Sequence, residues 1–106
     1  MLKLCFYVPS SHLDAVKAAV FAAGAGRIGH YEQCCWQIEG QGQFRPLTGA
    51  KPAIGDIDRL EQVSEYRVEM VCDESYISEA IQALRQTHPY EEPAFDVTQI
   101  LSYPRA

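Results

Sequence analysis

Basic clusters, long apolar runs and paired cysteines are all missing from this chain, and each absence removes a class of function. Nine Lys and Arg residues face fourteen Asp and Glu, a formal charge of -5, and the basic residues are scattered rather than grouped. Nucleic-acid binding needs clustered Lys and Arg against phosphate, so neither DNA nor RNA is an expected partner. No apolar stretch reaches the length of a membrane span, and the start lacks a charged n-region with a cleavage pattern. A cytoplasmic protein with no membrane partner is expected. Among Cys5, Cys34, Cys35 and Cys72 there is no C-x-x-C pair, which argues for reduced thiols rather than a disulfide framework or a structural zinc site. Cys34 and Cys35 are adjacent, so on a strand they would point to opposite faces.

Catalytic signatures are missing too. There is no G-x-S-x-G, no H-E-x-x-H and no P-loop, and the glycines of residues 40–55 do not sit at a strand-to-helix turn as a dinucleotide fingerprint requires. What remains is the composition of a globular protein: 106 residues, 47% apolar and 22% charged. That length suits one core and not two, so residues 1–106 are expected to form a single domain.

Hydrophobic periodicity supplies the elements. Leu2, Leu4, Phe6 and Val8 alternate with Lys3, Cys5 and Tyr7, a strand with one face toward a core. Ser11 and Asp14 have the form of a capping box ahead of Leu13, Val16, Val20 and Ala23, which recur at helical spacing; Gly24, Gly26 and Gly29 then end that helix. His12 falls in its first turn, where a cation is disfavoured, and reads as exposed surface. Residues 31–39 alternate as a second strand, with Cys34, Trp36 and Ile38 in one row. Residues 40–55 mix glycine and proline and fit neither period, so they read as a long loop with room for a short hairpin at 43–45. Such a loop in so small a domain is either a lid over the core or a binding loop, and Phe44, Leu47 and Ile54 let it pack down.

Tyr66, Val68, Met70 and Cys72 mark a third strand, whose entry takes in the acidic residues 61–65. Asp73, Glu74 and Ser75 cap a second helix carrying Ile77, Ala80, Ile81 and Leu84. Pro89 ends that helix, residues 95–101 form a last strand, and 102–106 are a short tail. The order β-α-β, loop, β-α-β packs most simply as a ferredoxin-like α+β sandwich, a four-stranded antiparallel sheet with two helices on one face. The other face carries Lys3, Cys5 and Tyr7 with a row from the second strand. Burying such a mixed face by self-association makes a homo-oligomer the expected state.

Within the corner His88-Pro-Tyr-Glu-Glu-Pro93, an imidazole, a phenol and two carboxylates lie within five residues. One reading is structural: a helix-terminal His88, with solvated or paired Glu91 and Glu92. The other is a site.

Three separated stretches carry a resemblance: Gly29-His30-Tyr31, the loop Gly42-x-Phe44-x-Pro46-x-x-Gly49-Ala50-x-Pro52-x-Ile54-Gly55, and His88-Pro-Tyr-Glu-Glu-Pro93. Together they resemble the YqfO family, specifically the domain inserted between the halves of its longer, GTP-cyclohydrolase-like members. The resemblance covers essentially the whole chain and implies a stand-alone version of that domain. It also implies a fold like the PII signalling proteins and the CutA divalent-cation-tolerance proteins, which are trimers. In PII proteins the ligand-responsive loop joins the second and third strands, the place of residues 40–55 here. The dinuclear metal centre of longer members takes its ligands from the flanking halves, which this sequence lacks, so that mechanism is not carried over.

The expected function is therefore a non-catalytic binding or regulatory module. It would present Phe44 and Arg45 of the loop and Tyr90 of the corner to a small ligand, or present the two segments to a protein partner. The alternative is a divalent metal ion held by His88, Glu91 and Glu92, with His30 as a second imidazole and Cys34 or Cys35 as a soft ligand. A metal-assisted hydrolase, with His88, Tyr90 and Glu91 in acid-base roles, is the remaining alternative.

Overall fold

The structure is a computed structural model that describes residues 1–101 and 103. It contains β1 (Leu2–Pro9), a 3-10 turn (Ser10–His12), α1 (Leu13–Ala22), β2 (Trp36–Phe44), β3 (Glu61–Cys72), α2 (Ile77–Thr87) and β4 (Phe95–Gln99). The strands form one sheet in the order β2-β3-β1-β4, with every neighbouring pair antiparallel. Of the tail expected at 102–106, only Tyr103 lies within the described residues.

The alternation of β1 and β3 decides which face is buried. Leu4, Phe6 and Val8 pair with Met70, Val68 and Tyr66, and this row meets Leu13, Val16 and Val20 of α1 and Ala80 and Leu84 of α2. Both helices thus cover one face, and the core is a single layer between them and the sheet. After α1 the chain is fastened by Gly26, whose N–H donates to the Val71 carbonyl at 2.8 Å and whose carbonyl accepts from Cys34 N–H at 2.8 Å. Gly26 has φ +80°, and a Cβ there would meet the Phe21 ring at 2.7 Å, so glycine is required.

The opposite face is open. By register it carries Lys3, Cys5 and Tyr7 of β1, Arg67 and Glu69 of β3, and Trp36 and Ile38 of the edge strand β2. Arg67 Nη2 donates to Glu69 Oε1 at 2.6 Å, and Lys3 lies 3.6 Å from the other oxygen of the same carboxylate. Trp36 and Ile38 remain 59% and 53% exposed.

Three sequence expectations are corrected. The second strand runs Trp36–Phe44 rather than 31–39, so the connecting loop is 45–60 and not 40–55, and no hairpin forms at 43–45. Gly40 and Gly42 break the hydrophobic alternation, but the backbone pairs regardless: Gly40↔Glu65 through Phe44↔Glu61 continue the ladder past Pro9, where β1 stops. That two-stranded arm makes the molecule long, 54 × 23 × 22 Å. Second, Ser11 does not cap α1; its hydroxyl lies 2.8 Å from His12 Nδ1, and the 3-10 turn leads into the helix instead. Asp73, likewise, makes a local turn, accepting from Ser75 N–H at 2.9 Å and Ser75 Oγ at 2.7 Å, which lowers its pKa. Third, β4 ends at Gln99 rather than at 101.

Phe6 is fully enclosed between sheet and helices. Phe6→Ala is expected to cost about 3–5 kcal/mol in urea unfolding, against less than about 0.5 kcal/mol for Gln41→Ala on the exposed arm.

Candidate functional site

The site starts from an unpaired carbonyl. In an antiparallel strand, one residue directs its N–H and C=O to the same neighbour, and Tyr7 directs both beyond the end of β4. Its N–H donates to the Ala94 carbonyl at 3.1 Å, and its own carbonyl lies 2.7 Å from Nε2 of His88. The ring completes the ladder where the last strand has not yet begun.

His88 is placed there by its neighbours. Its N–H closes the final turn of α2 on Leu84 O at 2.9 Å, and its backbone then turns extended (φ -69°, ψ 137°), as a residue before proline does. Pro89 brings Tyr90 round, so that Tyr90 N–H donates to His88 Nδ1 at 3.1 Å. An amide N–H cannot accept, so Nδ1 is the bare nitrogen and Nε2 carries the proton donated to Tyr7. The imidazole is buried, with 6% of the residue exposed. Burial pushes its pKa down, against smaller upward pulls from the Tyr7 carbonyl and Glu65.

Loop 45–60 folds back onto this corner. Lys51 N–H donates to Glu91 Oε1 at 3.1 Å, Asp58 N–H donates to Pro46 O at 2.6 Å, and Arg45 lies 3.5 Å from Asp58. Between loop, arm and corner is a cavity of about 420 Å³. Its walls are the Phe44 and Tyr90 rings, 6.0 Å apart and tilted by 52°, with Pro46, Leu47, Pro52 and Ile54 from the loop. Its polar residues include Arg45, Glu65, Glu91 and Glu92. The Tyr90 hydroxyl is buried beside the Glu65 carboxylate, which draws on its proton without reaching full hydrogen-bond geometry. Burial first, then Glu65, pushes its pKa up to about 12. Size and lining are those of a small-molecule pocket.

Phe44, Arg45 and Tyr90, drawn from two segments far apart in sequence, therefore line one cavity, and Glu91 and Glu92 line it with them. The expected metal set does not assemble. Both ring nitrogens of His88 are committed to the backbone, and among the described residues no three His, Cys, Asp or Glu side chains gather as ligands. His30 sits instead in the exposed turn bridged by Ile28 and Tyr31, and is not among the cavity's residues. Cys34 and Cys35 precede β2 as free thiols, also outside the cavity. Tyr7 and Glu65 are cavity residues that the sequence reading did not single out. The signal for Glu65 was Gly42 on the facing strand: a Cβ there would collide with the Glu65 carboxylate, so the glycine makes room for it.

No protein-family model matches the chain. It is 48% identical over 102 residues to a GTP cyclohydrolase 1 type 2 homolog of Mycobacterium tuberculosis, covering 96% of this chain and 27% of that protein. A homolog of the same name from Bacillus subtilis is 45% identical over 102 residues, with the same coverage. A solved Bacillus cereus protein related to NIF3 superposes with TM-score 0.78 at 38% identity, over 92% of this chain and 24% of that one. The resemblance to the YqfO family holds. It concerns one segment, since the chain spans about a quarter of the length of the YqfO-type relatives it matches. The CutA periplasmic divalent cation tolerance protein of Archaeoglobus fulgidus superposes with TM-score 0.70 at 12% identity, covering 99% of this chain and 89% of that one. At that identity the likeness shows the PII/CutA-like fold alone.

The His88 geometry carries a pH dependence. Its folded pKa lies below the ordinary 6.5, so the unfolded chain takes up the proton more readily. This contribution to stability is complete above pH 6.5 and is lost as pH falls below it. Urea unfolding midpoints of the wild type should fall on acidification through that window, and His88→Leu should flatten this part of the profile. At neutral pH the substitution leaves the Tyr7 carbonyl unpaired, at a cost of about 1–3 kcal/mol.

Proposed function

We propose that the chain is a non-catalytic binding or regulatory module whose ligand occupies the cavity between loop 45–60 and the His-Pro corner. The observation that carries this reading is the cavity of about 420 Å³ that brings Phe44 and Arg45 of one segment together with Tyr90 of another. A concave site of that size, lined by aromatic and aliphatic side chains with a few polar groups among them, is what a small ligand needs. Self-association fits the same molecule, because the open face and the edge strand β2 leave Trp36 and Ile38 uncovered.

Metal binding, which the name of the CutA relatives suggests, has less support here, because His88 has no nitrogen left to offer. The hydrolase reading depends on the name of relatives of which this chain spans 27%. Two of its three acid-base residues, His88, Tyr90 and Glu91, also fit poorly: His88 is tied to the backbone, and Tyr90 holds its proton far above neutrality.

Native mass spectrometry of the protein purified from cell extract tests the reading. The wild type is expected to retain a small-molecule adduct that Tyr90→Phe loses, while Tyr90→Phe stays close to the wild type in thermal midpoint, since the hydroxyl meets Glu65 only in poor hydrogen-bond geometry. Loss of stability in Tyr90→Phe, with no adduct on either protein, would show that the corner serves packing alone.

A further inference from the structure

The cavity's charges point to a ligand class. Of the carboxylates lining it, Glu65 and Glu92 make no ion pair among the described residues, and Glu91 uses one oxygen on the Lys51 amide. Arg45 is the basic side chain of the lining, and Asp58 at 3.5 Å offsets it. The Tyr7, Phe44 and Tyr90 rings line the cavity with them. An aromatic enclosure with uncompensated carboxylates attracts positive charge twice, by Coulomb attraction and through the ring quadrupoles. It repels a phosphate or carboxylate by the same charges.

We infer that the ligand is an organic cation, an ammonium or guanidinium carried on an apolar or aromatic body, with its charge against Glu65 and its body between Phe44 and the loop. This rests on the reading of the cavity as a ligand site and adds the sign of the ligand's charge. The Tyr90 hydroxyl stands beside Glu65 and is itself buried, so the carboxylate is the group left to meet the charge of such a ligand. Gly42 on the paired strand leaves the Glu65 carboxylate space that any side chain would take. Loop residues Leu47, Ala50, Pro52 and Ile54 offer apolar contact but no compensating cation.

Calorimetric titration with three indoles that differ in charge tests this on the intact chain: tryptamine, tryptophol and indole-3-acetate. Tryptamine is expected to bind at least about tenfold more tightly than tryptophol, and indole-3-acetate most weakly. Glu65→Gln should weaken tryptamine by about tenfold while leaving tryptophol nearly unchanged. Thermal midpoints are recorded alongside, and if Glu65→Gln fails to fold, Glu92→Gln in the same titration carries the charge test. Equal affinity for all three indoles, preference for the acid, or no binding by any of them overturns the inference. The first two of those results would leave the cavity standing as a ligand site. The adduct measurement on Tyr90→Phe decides that reading separately.

Discussion

A single imidazole, bonded at both nitrogens to backbone, holds the two parts of the site together. His88 takes the Tyr7 carbonyl that the short last strand cannot reach, and it is itself held by the Tyr90 amide. Because Ala94 binds the Tyr7 amide, the two ends of the corner grip one residue of a central strand. The corner is therefore fixed to the sheet rather than draped over it. With Tyr90 set by that grip, Phe44 has a ring to pack against, and with Glu91 set, the loop has an acceptor for Lys51 N–H. The cavity depends on these contacts in sequence.

Such a site suits a small sheet whose core is already spent. Leu4, Phe6, Val8, Val68 and Met70 face the helices and are fully used in packing. Chemistry is left to the side chains that the sheet does not need, at the arm, the loop and the corner. Placing them on one strand pair and one helix end gives them a rigid base, while the loop supplies apolar surface beside them.

Much of the fold was legible because burial imposes period. Strands β1 and β3 and both helices each put one face into the core, and their alternation or helical spacing shows it. The arm was not legible, because Gly40 to Phe44 have no core to face; only pairing with Glu61–Glu65, a tertiary fact, makes them a strand. At the site, residue types drew notice to Phe44, Arg45, Tyr90, Glu91 and Glu92 in two separate segments, but their meeting depends on how the loop folds. His88 was visible both as a helix-terminal residue and as a candidate ligand, but its two bonds to backbone were not. Its proximity to Glu91 and Glu92 suggested a ligand, whereas its burial and the orphan Tyr7 carbonyl, neither written in local sequence, make it a backbone bridge. Glu65 was hidden by the same error that ended the second strand too early.

The state of that ring separates a backbone bridge from a free or metal-bound histidine, and nitrogen-15 NMR of the His88 imidazole reads it directly. At neutral pH the spectrum is expected to show a neutral ring protonated at Nε2, with Nδ1 bare, and to be unchanged by added zinc. A ring protonated at Nδ1, a doubly protonated ring, or nitrogen shifts that move on zinc addition would contradict the bridge and return His88 to the solvent or to a metal.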